Sequence, residues 1–139
     1  MKPVVNDGPE RLEKSVEIGT LCAFYGGLLT QRQQDALRLH YEEDLSLGEI
    51  ADELEVSRQN VHELITRSVQ KLRRYEEALG AMRRAEETAK VLRQVQSLIG
   101  AADTAPAEAH ATLMEASRLI DRLIRQQEGE DNEPWPLKD

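Results

Sequence analysis

The sequence predicts an all-α protein, a helix-turn-helix bundle followed by a C-terminal helical hairpin, and three observations carry that expectation. Apolar residues recur at three- and four-residue steps along most of the chain, and no stretch alternates apolar with polar as a strand would. Hydroxyl residues able to cap a helix stand at Thr30, Ser46 and Ser57, each just ahead of a periodic run. Around the last two caps lies the spacing of small and branched residues that two steeply crossed helices require.

Residues 1–10 hold two prolines and a glycine and are expected to be disordered. A first helix follows over 11–29, where Leu12, Val16, Leu21, Cys22, Tyr25, Leu28 and Leu29 recur at roughly helical spacing, weakened at its end by Gly26-Gly27. Thr30 with Gln33, and Ser46 with Glu49, fit the capping box, in which the hydroxyl takes a backbone N–H and the longer side chain reaches back. Ser57 caps without an acidic partner, since Asn60 stands in that place. These signals predict a helix near 31–43, a short one near 47–54 and a longer one from 58. A two-turn helix is unstable alone, so the short one must be clamped by its neighbours.

Beyond Tyr75 the apolar steps continue through Leu79, Met82, Ala89, Leu92, Val95 and Ile99, and residues 100–106 form a Gly/Pro break. Leu113, Ala116, Ile120 and Leu123 then step as a heptad seam. The expected organisation is a disordered 1–10, a helix-turn-helix domain over 11–79, a helical hairpin over 80–128, and a disordered polar tail over 129–139 containing Trp135. The seam, flanked by Leu119 and Ile124, is wider than one partner helix can cover, which predicts a homodimer.

Composition excludes several functions. The 139 residues are 40% hydrophobic, 4% aromatic and 32% charged. No run of about 18 apolar residues exists, so no membrane span is expected. Residues 1–8 lack the apolar core of a secretory signal, and the expected location is the cytoplasm. The single cysteine, Cys22, excludes an internal disulfide framework and a multi-cysteine zinc site. His40, His62 and His110 are too dispersed for metal ligation, no glycine-rich loop follows a strand, and Cys22 on its apolar stripe reads as a core thiol. The expectation is a binding protein with no cofactor, no metal and no enzymatic activity.

The most informative stretch is residues 47–65. Counted from Leu47, apolar residues fall at the fourth, eighth, tenth, fifteenth and eighteenth places: Ile50, Leu54, Val56, Val61 and Leu64. Ala51, at the fifth, is small enough to let a second helix approach. Val56 plugs the turn and Ser57 caps the second helix. The ninth place often holds glycine; here it is Glu55, which must adopt an uncomfortable backbone or a different turn.

Net charge is −8, which argues against unspecific nucleic-acid binding, but residues 57–75 carry Arg58, Arg67, Lys71, Arg73 and Arg74 against Glu63 alone. On a helix, Val61, Leu64, Ile65, Ser68 and Leu72 face inward. Gln59, His62, Glu63, Thr66, Arg67, Gln70, Arg73 and Arg74 face out. The candidate contact residues are Arg58, Gln59, Asn60, His62, Thr66, Arg67, Gln70, Lys71, Arg73 and Arg74. Gln59, Asn60 and Thr66 can read base edges, and the cations can pair with phosphates. Glu63 would repel a phosphate.

The run Phe24-Tyr25-Gly26-Gly27-Leu28-Leu29-Thr30 with Gln33, residues 41–51 (Tyr41 to Ala51), and Val56-Ser57-Arg58-Gln59-Asn60-Val61 resemble the YlxM family of bacterial helix-turn-helix proteins, itself related to sigma factor region 4. The resemblance covers about residues 12–79, and Glu55 in the turn fits it. It implies a cytoplasmic accessory of the signal recognition particle pathway, with the particle's GTPase and/or its RNA as partners. The competing expectations are a DNA-binding transcriptional regulator working through residues 58–74, and a protein-only adaptor working through the hairpin.

Overall fold

The computed structural model describes residues 8–128, so the expected tail with Trp135 and residues 1–7 of the expected disordered start lie outside the described residues. Six α-helices follow one another: α1 (Pro9–Tyr25), α2 (Gln31–Tyr41), α3 (Leu47–Leu54), α4 (Arg58–Leu79), α5 (Ala81–Thr104) and α6 (Ala109–Glu128). Among the described residues there is no strand. The chain divides into two units after Arg83.

α1 starts at Pro9, two residues ahead of the expected helix and inside the stretch expected to be disordered, because proline's fixed φ suits the first helical position. It ends at Tyr25, where Gly26–Leu28 tightens into a 3₁₀ turn. α2 and α3 carry both predicted capping boxes, with Thr30 and Ser46 accepting from the N–H groups of Gln33 and Glu49. α2 stops at Tyr41, short of residue 43, because the chain reverses through Asp44 at φ 55°.

The core of the first unit is formed around α4, on which α1, α2 and α3 all pack. Ile18, Ile50, Val61 and Leu72 are fully buried, with Leu21, Tyr25, Ala36, Leu37, Leu39 and Ile65 around them. Ala51 is buried, while Leu54, Val56 and Leu64 pack half-buried at the edge. Ser68 is also fully buried and satisfies its hydroxyl by donating to the Leu64 carbonyl at 2.6 Å. The expected stripe of the first helix splits: Leu21, Tyr25 and Leu29 go inward, joined by Ile18, which the stripe did not include, while Leu12, Val16 and Leu28 remain exposed.

The turn between α3 and α4 accommodates Glu55 in the left-handed region, at φ 54° and ψ 45°. The Val56 N–H donates to the Ala51 carbonyl at 3.0 Å, the closing bond of a Schellman turn. The sequence left two outcomes for this position, and the chain takes the positive φ.

In the second unit, α5 and α6 form an antiparallel pair in which Gln127 Nε2 donates to Thr88 Oγ1 at 3.3 Å. Burial marks a line on α5 through Thr88, Val91, Val95, Leu98 and Ala102, and one on α6 through Ala109, Thr112, Ala116, Leu119 and Leu123. Both step by three and four. The seam read from the sequence is therefore corrected: Leu113 and Ile120 lie outside it, exposed, and Leu119 lies within it. Ala102 and Ala116 are buried on these lines, whereas Leu113 and Ile120 are 50% and 40% exposed beside them. The turn is also tighter than expected: α5 runs through Gly100 to Thr104, and only Ala105 and a 3₁₀ turn at Pro106–Glu108 precede α6.

Candidate nucleic-acid interface

The two helices of the motif start differently. On α3 the Glu49 carboxylate accepts from the Ser46 N–H and hydroxyl, both at 2.8 Å, and occupies the positive end of the helix with a negative charge. On α4 the Ser57 hydroxyl accepts from the Asn60 N–H at 3.0 Å, and the first turn carries no acidic residue. An anion is therefore favoured at the start of α4 and disfavoured at the start of α3. Arg58, Gln59 and His62 line an open hollow there with Leu47 from the first turn of α3.

Along α4 the ten candidate residues sort into three lines. Gln59, Thr66 and Gln70 run down the outermost line together with Glu63, and all four are exposed. Asn60, Arg67, Lys71 and Arg74 step by seven, four and three along one flank. Arg58, His62 and Arg73 occupy the opposite flank. Lys71 is half-buried and the other cations are exposed. Among the described residues, none of Arg58, Arg67, Lys71 and Arg74 is held in an ion pair.

Arg73 differs from the rest. Its Nε lies 3.6 Å from Glu17 of α1, so its charge is partly answered within the fold while its side chain stays half-exposed. Leu47 is the one lining residue that sequence reasoning missed. Its only signal was its place directly after the Ser46 cap.

The remaining chemistry is sparse. Cys22 is half-buried, and burial, then the Glu42 charge, push its thiol above the ordinary range. Burial likewise raises Tyr41, against the lowering effect of Arg73. Among the described residues, no group of three or more His, Cys, Asp and Glu side chains could hold a metal ion, and no helix is long and apolar enough to cross a membrane.

A short helix and a longer one joined by a left-handed turn, with a polar and basic outer face on the second, define a helix-turn-helix protein, an architecture that places its second helix against nucleic acid. The chain matches the YlxM / p13-like helix-turn-helix family, UPF0122, over residues 12–109, and it belongs to that family. It is 40% identical over 110 residues to a UPF0122 protein of Bacillus pumilus, covering 79% of this chain and 98% of the relative. To a UPF0122 protein of Symbiobacterium thermophilum it is 47% identical over 90 residues, covering 65% of this chain and 84% of the relative. A Desulforamulus reducens relative is 37% identical over 112 residues, covering 81% and 94%.

Proposed function

We propose that this protein is a regulatory component of the signal recognition particle targeting pathway that binds the particle's RNA and/or its GTPase through the helix-turn-helix domain. The observation that carries the binding chemistry is the flank Asn60, Arg67, Lys71 and Arg74, a line whose cations make no ion pair among the described residues, on a protein of net charge −8. A net excess of positive charge on one helix favours an oriented contact with a phosphate backbone, whereas the net acidic remainder disfavours other approaches. The targeting pathway itself comes from the family resemblance. In this reading the protein works in the cytoplasm and without a cofactor.

A DNA-binding transcriptional regulator is the second reading. It is favoured by the uncharged line Gln59, Thr66 and Gln70, whose side chains suit base edges, and opposed by Glu63 in the middle of that line.

Binding of the purified chain to the particle RNA and to mixed-sequence duplex DNA, with recovery of the GTPase after nuclease treatment, tests both. Retention of RNA or of nuclease-resistant GTPase is the expected result. Recovery of defined promoter DNA would transfer the assignment to the second reading. Absence of all three at about 0.1 M salt, where charges are screened beyond roughly 10 Å, would overturn both.

A further inference from the structure

The two flanks of α4 differ in charge. Beside one of them lies the first turn of α3, where Leu47 lines the hollow at the start of α4 with Arg58 and His62. α3 carries Glu49, Asp52 and Glu53, all exposed, and no basic residue. Of the cations on that flank, Arg58 stands at the start of α4 and Arg73 is held 3.6 Å from Glu17. On the other flank Arg67, Lys71 and Arg74 run along about 10 Å of helix. They make no ion pair among the described residues. Between the flanks Glu63 stands exposed in the outermost line, with Gln59 and Thr66 one turn to either side, and it is in no ion pair there either.

A helix seated in a duplex groove meets a phosphate strand on each flank, and the first helix of the motif crosses one of those strands. Phosphates in that place would face the three carboxylates of α3, whose positive end is already filled by Glu49 on the Ser46 cap. An unpaired strand brings one backbone only. The flank Arg67, Lys71 and Arg74 takes it without setting phosphate against α3. Glu63 favours the same class. An ionised carboxylate only accepts, so it repels phosphate and selects a base edge rich in donors. Guanine offers two adjacent donors on its pairing edge, N1–H and the N2 amine, which match the two oxygens of a carboxylate. In a duplex the N1–H is spent on cytosine and the N2 amine lies in the minor groove. Unpaired guanine presents both, and RNA is read on such edges in its loops and single strands.

We propose that α4 binds an unpaired RNA segment, with the backbone along Arg67, Lys71 and Arg74, and that Glu63 selects a guanine by its pairing edge, an inference that rests on the reading of the domain as an RNA binder. Gln59, Thr66 and Gln70 share the line with Glu63 and can meet neighbouring bases as donors or acceptors. The negative charge of Glu63 then has a use. It weakens contact with any strand laid along α4, and the loss is offset only where a guanine supplies both donors. A duplex reader would instead need Glu63 to accept from the cytosine N4 amine in a major groove, with the second phosphate strand tolerated beside α3.

Fluorescence anisotropy of the full chain tests this with a labelled uridine-rich RNA strand of about 12 nucleotides holding one guanosine, a length within the site size of single-strand binders. The comparison probes are the same strand with inosine, which lacks only the N2 amine, the same strand annealed to its complement, and the matching DNA duplex. The guanosine strand is expected to bind at least about tenfold tighter than the inosine strand, one hydrogen bond to a charged acceptor being lost, and tighter than either duplex. Glu63→Gln should abolish the guanosine preference while keeping or raising affinity for the inosine strand, a pattern that general damage to the fold does not produce. Asp52→Asn with Glu53→Gln, both exposed, should raise affinity for the duplexes more than for the strand. Equal binding of the guanosine and inosine strands, or preference for the RNA duplex, overturns this inference and leaves the RNA reading standing. Preference for the DNA duplex overturns it in favour of the second reading. Absence of binding to every RNA probe at about 0.1 M salt overturns the inference and the RNA reading together.

Discussion

The Tyr25 hydroxyl donates to a Glu76 carboxylate oxygen at 2.5 Å and accepts from the Ala81 N–H at 3.0 Å. Glu76 in turn accepts from the N–H groups of Met82 at 3.0 Å and Arg83 at 2.9 Å. The first turn of α5 has no acidic residue of its own, so Glu76, at the end of α4, and Tyr25, at the end of α1, together cap it. Gly80, at φ 61°, makes the break that turns α5 back onto these groups. The clamp explains why the first unit ends at Arg83 rather than at residue 79: Ala81 and Met82 pack against its core.

The clamp is sensitive to pH at both ends. The Tyr25 hydrogen bond, reinforced by the backbone donors, holds the Glu76 carboxyl below its ordinary 4.5, against the raising effect of burial. Its contribution is present above that value and lost as pH falls through the folded-state pKa. Burial, then the bond to Glu76, holds the Tyr25 phenol above its ordinary 10.0. That contribution is present below 10.0 and lost as pH rises through the folded value. Thermal melts across pH should fall off on the acid side, and Glu76→Gln should lower the neutral melting temperature and flatten the acid limb. An unchanged acid limb in that variant would assign the acid sensitivity to other carboxylates.

Ala51 sits buried at the crossing of α3 and α4, next to the fully buried Ile50 and Val61. Ala51→Leu should destabilise the domain by about 1–3 kcal/mol through overpacking. Denaturant unfolding measures it, and a midpoint equal to wild type would contradict a tight crossing of the two helices.

Glu55 holds a left-handed backbone that costs an L-residue about 1 kcal/mol relative to glycine. Glu55→Gly should raise stability by a net of about 0.5 kcal/mol, part of the gain being offset by the freer unfolded chain. Glu55→Val should lower it, because a β-branched side chain resists this φ. Equal stabilities for the two variants would contradict the turn geometry.

Removing Arg67, Lys71 and Arg74 together should weaken nucleic-acid binding and reduce the salt slope by about 0.9 for each phosphate no longer neutralised on duplex DNA, or about 0.7 on a single strand. Arg73→Ala should leave that slope nearly unchanged, because Arg73 is engaged with Glu17, and should cost about 0.2–1 kcal/mol as a half-exposed pair. Titrations at several salt concentrations separate the two. An Arg73 effect as large as the triple variant's would place the binding surface on the other flank of α4.

What the sequence determined by itself was local. Thr30, Ser46 and Ser57 announced three helix starts because a cap acts within its own first turn, and the spacing from Ile50 to Leu64 announced the motif because both helices are close in the chain. Glu55 marked a turn under backbone constraint, though only the fold showed that it takes the left-handed solution. Tertiary structure decided everything that depends on distant partners. Arg73 turns toward Glu17, Tyr25 and Glu76 cap a helix neither belongs to, and the α6 seam rotates off Leu113 and Ile120. Periodicity names the apolar side of a helix, but its width spans two adjacent heptad lines. Which line meets the neighbour depends on how two helices distant in the chain pack together, and spacing within one helix does not record that: burial falls on Ala116 and Leu119 of α6 rather than on Leu113 and Ile120.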